Sequence, residues 1–277
     1  MTKNETGKRS NLIYWIVAAL LLIGCLIYAI NPFKKGKVTC DIVFFGDSRV
    51  GNYRTSTGVA ARLSELTGLT VFNAGIGGTS MAVSDDDGTW DKFSMVALSE
   101  AIATNDFSVQ DGIRPTKYIE YNEIINYFPE CYEGIKKLDW KSPRYIVIEQ
   151  GTNDYFAAVP LDNPDNLYDN RTFKGAIRTS VKNLQKVCPQ AEIILVSTSA
   201  TLTAAGFSEE TDFGHGFSEM YADAMEEVSL ELGVSYVDFY HEIGITRDNI
   251  YVILYDGLHP SEDTALKMAE MISEYIK

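Results

Sequence analysis

The stretch Val38–Val50, VTCDIVFFGDSRV, decides how the rest of the chain is read. Val38 to Phe45 is dominated by β-branched and aromatic side chains, stops at Gly46, and predicts a buried first strand. Immediately behind it stand Gly46, Asp47, Ser48 and Arg49. The same pattern recurs outward along the chain. Thr70–Asn73 (TVFN), Tyr145–Glu149 (YIVIE), Ala191–Thr198 (AEIILVST) and Val234–Phe239 (VSYVDF) predict four further short strands. Helical spacing lies between them, at Val59–Leu66, Lys174–Val187, Ser218–Leu232 and Glu262–Ile276. Short apolar strands alternating with helices predict an α/β domain whose parallel sheet is covered on both faces. Such sheets carry their chemistry in loops beyond the carboxyl ends of the strands.

Polar and glycine-rich segments fall at those positions. Gly46-Asp47-Ser48 follows the first strand, Asn73-Ala74-Gly75-Ile76-Gly77-Gly78 the second, and Gly151-Thr152-Asn153-Asp154 the third. Asp256-Gly257-Leu258-His259 precedes the last helix. A serine hydroxyl needs an adjacent base to act as a nucleophile, and an imidazole held by a carboxylate supplies one. Ser48, His259 and Asp256 therefore form a candidate catalytic set. Backbone N–H groups of Ser48 and Gly75, with the Asn153 amide, are candidate oxyanion donors. Each segment alone has a plainer reading: Gly-Asp-Ser as a strand-to-helix cap, and Asn153-Asp154 or Asp256-Gly257 as ordinary turns. Their order on a strand–helix framework separates the two readings.

Taken together, the four segments resemble the four sequence blocks of the SGNH hydrolase superfamily, which includes the GDSL esterases and lipases. The resemblance runs from about residue 41 to the C-terminus. It implies a flavodoxin-like three-layer α/β/α sandwich, Ser48 as nucleophile, His259 as base, Asp256 as its partner, and an oxyanion hole from Ser48, Gly75 and Asn153. It also implies ester hydrolysis without cofactor or metal. Arg49 departs from the leucine found in many members. The stretch Met81–Arg144 exceeds a minimal member, and contains an acidic turn (Ser84–Gly88), a predicted helix at Lys92–Ala103, and the aromatic residues Tyr118, Tyr121, Tyr127, Phe128 and Tyr132. Those aromatics fit either sugar stacking or core packing. No Gly-x-Ser-x-Gly elbow occurs, which disfavours an α/β-hydrolase.

The N-terminus has a separate signal. Leu12–Ile30 is an uncharged apolar run of 19 residues, near the ~20 that span a bilayer as a helix. It predicts a single transmembrane anchor, with residues 1–11 as a tail, 31–37 (NPFKKGK) as a linker, and 38–277 as the hydrolase domain with its insertion at about 81–144. A cleaved signal peptide usually has a shorter apolar core of ~7–15 residues. Leu22-Ile23-Gly24-Cys25 resembles a lipoprotein box, but the residues after Cys25 stay apolar. A short tail before a single anchor favours an extracytoplasmic domain. Residues 1–37 hold six basic residues and one acid, leaving the rest with 18 basic and 37 acidic residues, a formal −19. A domain so acidic excludes nucleic acid as a partner. Three widely spaced histidines give no zinc signature, and Cys40, Cys131 and Cys188 allow at most one disulfide. His215, between two glycines, predicts an exposed loop residue or a substrate contact, and His241 a packed or locally hydrogen-bonded one.

The expected substrate is a small-molecule or glycan ester, an O-acetylated sugar first. A lipase or lysophospholipase, an acyltransferase using the same residues, and a carbohydrate-binding module without catalysis are the alternatives.

Overall fold

The computed structural model describes residues 36–84, 88, 90–113 and 126–277. The chain divides into residues 1–37 and a unit running from Val38 to Lys277. The expected anchor at 12–30, the aspartates of the acidic turn, Tyr118 and Tyr121 lie outside the described residues. Among the described residues no helix is long and apolar enough to cross a membrane.

In the second unit, β1 (Ile42–Gly46) is followed by α1 (Ser48–Gly51), α2 (Val59–Thr67) and β2 (Val71–Asn73). Next come α3 (Met95–Thr104), α4 (Ser108–Asp111), α5 (Phe128–Lys137), β3 (Tyr145–Glu149), α6 (Thr152–Phe156), α7 (Phe173–Val187) and β4 (Glu192–Val196). A hairpin of β5 (Leu202–Thr203) and β6 (Gly206–Phe207) precedes α8 (Ser218–Leu232), β7 (Ser235–Val237), α9 (Phe239–Ile243), α10 (Ile250–Ile253) and α11 (Glu262–Ser273). The main sheet has the order β2-β1-β3-β4-β7, and all its pairs are parallel. Counting only its own strands, this is the 2-1-3-4-5 order of flavodoxin-like sheets.

Alternation along each strand builds two cores. Val43, Phe45, Ile146, Ile148, Ile193 and Leu195 point into the layer of α3, α5, α7 and α8. Ile42, Phe44, Val147, Ile194 and Val196 point the other way, onto α2 and α11. Successive strand side chains point to opposite faces, so strands covered on both sides are apolar throughout.

Some expected boundaries shift, for local reasons. Val38 leaves the sheet to bridge Leu138, so β1 starts at Ile42. Asp238 ends β7 early by capping α9, its carboxylate accepting the His241 N–H at 3.2 Å. Ser94 caps α3, which starts three residues later than Lys92. The long stretch between β2 and β3 is no simple loop. Within it Met95, Leu98, Ile102, Phe128, Cys131, Tyr132 and Ile135 are buried in the core. Phe93, Phe128 and Tyr132 pack as an aromatic cluster, with Phe93 edge-on to Phe128 at 5.0 Å between centroids. Cys40, Cys131 and Cys188 are free, buried thiols.

Candidate active site

The nucleophile turn is fixed by a cap. Asp47 closes the start of α1, its carboxylate accepting the Arg49 N–H at 2.9 Å. Ser48 is the first residue of that helix, so its own N–H has no acceptor within the helix. This puts the hydroxyl and a free N–H of one residue at the carboxyl end of β1.

The base comes from the turn before α11. One Asp256 oxygen accepts the N–H groups of Leu258 (3.0 Å) and His259 (2.7 Å), and the other bonds Nδ1 of His259 at 2.7 Å. A single carboxylate thus fixes both the backbone and the ring of His259. Burial pushes the Asp256 carboxyl up, but the hydrogen bonds from His259 and Leu258 outweigh it and hold the group below the usual carboxylate range. With Nδ1 donating to Asp256, Nε2 is left to accept, and it lies 2.9 Å from Ser48 Oγ. The turn requires Gly257, whose φ of 82° lies in the left-handed region. Its carbonyl accepts the Leu202 N–H at 2.7 Å and ties the loop to the hairpin.

The glycine block is held by bonds of its own. The Gly75 N–H donates to the Asn73 side chain at 3.0 Å, and Gly75 packs against the backbone of Gly51. That donor is engaged by Asn73 here, and Gly75 stays an expected oxyanion donor. Gly77 is the glycine that faces the nucleophile, where an added Cβ would stand 3.4 Å from Ser48 Cβ, but its N–H donates to the Tyr127 hydroxyl at 2.8 Å. The next residue, Gly78, is exposed, and its N–H has no acceptor among the described residues. Asn153 donates its amide to Thr79 O at 2.8 Å and Asp47 at 3.2 Å, bracing the nucleophile turn against the glycine block. Its neighbour Asp154, buried, accepts the N–H groups of Met81 and Ala82 at 2.8 and 2.9 Å.

Beneath Ser48 lies a buried charge network that sequence reading did not find. Arg49 is fully buried and donates to Ser199 at 2.6 Å and to Thr152 and Thr198 at 3.4 Å. Its Nε stands 3.8 Å from the Glu149 carboxylate, itself buried at the end of β3. Burial raises the Glu149 carboxyl well above its ordinary value, and the Asp47 charge pushes the same way against Arg49. Asp47 is raised by burial too, with Arg49 opposing. Arg49 thus ties the nucleophile turn to the ends of β3 and β4. Leucine at that position could make none of these bonds.

Two tyrosines also stand at the base. Tyr255 stacks on the His259 ring at 6.0 Å between centroids, and Tyr53 approaches it edge-on at 6.3 Å. Their sequence signal was adjacency alone, Tyr255 directly before Asp256 and Tyr53 five residues after Ser48. The other histidines are remote from this set: His215 is an exposed loop residue, and His241 bonds Asp238 and Glu219. Among the described residues no group of three or more His, Cys, Asp or Glu side chains could hold a metal ion.

A two-layered helical cover on a parallel sheet, with a serine, histidine and aspartate in register beyond its strands, defines the class of the fold and site. The GDSL-like lipase/acylhydrolase family model matches residues 44–265, and the chain belongs to that family. No curated protein matches the chain. Among solved structures, a protein from Lactobacillus plantarum is similar at 18% identity and a TM-score of 0.59, over 86% of this chain and 96% of that one. A possible lipase from Chitinophaga pinensis is similar at 20% identity and a TM-score of 0.54, over 85% and 97%. A candidate GDSL-like lipase from Bacteroides uniformis is similar at 16% identity and 0.52, over 90% and 98%. At these identities the likeness speaks to fold.

Proposed function

We propose that the chain is a serine esterase that transfers an acyl group from an ester to Ser48 and then to water. The supporting observation is the continuous bonded line from Asp256 through His259 to the Ser48 hydroxyl. Family membership implies ester hydrolysis in general. His259 takes the Ser48 proton as Oγ bonds the carbonyl carbon, and the carbonyl electron pair moves onto oxygen. The Ser48 N–H, which has no acceptor within its helix, is the donor free to meet that oxyanion; Gly75 and Asn153 would join it by releasing their present bonds to Asn73 and to Thr79 and Asp47. Removing one such donor typically costs ~3–4 kcal/mol of transition-state stabilisation. The carbon–oxygen bond to the alcohol then breaks, and His259 returns its proton to the leaving oxygen. Water, deprotonated by His259, resolves the acyl-enzyme to free acid and Ser48.

The proposed substrate is an acylated, first of all O-acetylated, sugar outside the cytoplasm, reached by a domain tethered through residues 12–30. One observation favours a second reading. Tyr251 and Val252 are 63% and 76% exposed on α10, next to the Asp256 turn, and such an apolar rim suits a lipid surface. Two measurements test these readings. A fluorophosphonate probe is expected to label the full-length chain and to lose that labelling in Ser48→Ala; an unlabelled folded wild type would favour the binding module. Acetate release from p-nitrophenyl acetate is expected to exceed hydrolysis of long-chain esters, and the reverse order would turn the reading to a lipase.

A further inference from the structure

In the reaction above the leaving oxygen collects its proton from His259 Nε2, so the departing alcohol lies along the imidazole. The side chains walling that ring are Tyr255, parallel to it within 21°, and Tyr53, inclined at 61°. The two tyrosines meet each other edge to face, 5.7 Å between centroids, and their hydroxyls touch. Tyr255 is 48% exposed, so its ring is available to a ligand. Beside the pair opens a cleft of about 560 Å³, between the starts of α2 and α11, whose lining includes Thr55, Thr57, Pro260 and Glu262.

From this arrangement we propose that Tyr53 and Tyr255 form the leaving-group subsite and that the alcohol they take is a hydroxyl of a sugar ring. The proposal rests on the serine-esterase reading and narrows its substrate. A pyranose offers C–H faces to aromatic rings and hydroxyls to polar tips, which is the mixture lining this cleft. An alkyl alcohol would use the rings alone, whereas a sugar can also add hydrogen bonds to the tyrosine hydroxyls, which pair with each other, and to the Thr57–Glu262 pair on the rim. A phosphate-bearing alcohol meets the wrong charge. Glu262 lines the cleft, and the nearby cations are committed: Arg49 to Ser199, Thr152 and Thr198, and Arg54 to the carbonyls of Gly51, Asn73 and Gly75.

The test compares two acetyl esters that differ only in the alcohol, methyl 6-O-acetylglucoside and ethyl acetate, with the full-length chain and acetate release as readout. Tyr255→Ala is expected to lower kcat/KM on the glucoside at least about tenfold more than on ethyl acetate, chiefly through KM, a difference of roughly 1.4 kcal/mol. Tyr255→Phe, which keeps the ring, is expected to retain most of the preference. Equal losses on both esters would mean that Tyr255 only orients His259, and would overturn the subsite, as would no loss on either. Fluorophosphonate labelling of the same preparations separates the two levels. Labelling at Ser48 without Tyr255-dependent selectivity overturns the subsite alone, whereas absence of labelling overturns the esterase reading and the subsite with it.

Discussion

Asp154 shows how much one side chain can hold. Read locally, it is a turn former beside Asn153, yet it is buried and accepts two backbone N–H groups from Met81 and Ala82, just beyond the glycine block. Burial pushes its carboxyl up from an ordinary 3.8 to about 7, against the pull of those two bonds. The consequence for stability has a definite sign. Below about pH 4 the group is protonated folded and unfolded alike. As pH rises, the unfolded chain releases its proton first, so the folded state loses stability until about pH 7, by something of order 4 kcal/mol. Asp154→Asn removes this titration. Urea unfolding between pH 4 and 8 is expected to give a shallower decline for the variant than for the wild type. Parallel curves would rule the mechanism out.

At the scale of elements, the site depends on how closely α1 lies on the segment after β2. A Cβ at Gly51 would stand 2.7 Å from Gly75 O and 2.7 Å from the Tyr127 hydroxyl. Backbone meets backbone here because neither residue carries a side chain, and Arg54 and Tyr127 lock the contact, the guanidinium lying 4.1 Å from the ring centroid. Gly51→Ala is expected to destabilise the domain by about 1–3 kcal/mol and to slow fluorophosphonate labelling. An unchanged Tm with an unchanged labelling rate would show that the loop yields. Element positions were legible where composition and caps agree, as in β3 and α8, whose ends match the sequence pattern. They were less so at Val38, whose bridge to Leu138 crosses a hundred residues.

For the whole molecule, the acidic domain and the basic, apolar N-terminus differ sharply in composition. An uncharged run of 19 residues is of spanning length, and its removal is expected to change where the protein resides. The full-length chain should fractionate with membranes and a form lacking residues 1–37 should not. Recovery of the full chain in the soluble fraction would reject the anchor. Within the domain, two cores on opposite faces of one sheet hold α2 and α11 on one side and α3, α5, α7 and α8 on the other. The loops after β1, β2 and β3 open at the same end of that sheet, which is how separate motifs become neighbours.

Strand composition, helix spacing, turn chemistry and the short Asp256–His259 interval could all be read along the chain, because each depends on residues within a few positions of one another. Contacts between distant segments could not. Ser48 and His259 are separated by 211 positions, and only packing of α11 on the sheet brings Oγ and Nε2 to 2.9 Å. The same long-range packing sends Phe128 and Tyr132 into the core. It also bonds Gly77 to Tyr127 across fifty positions and sets Tyr53 against Tyr255 beside the base. A donor's availability depends on which acceptor reaches it first in three dimensions, and one-dimensional spacing does not contain that.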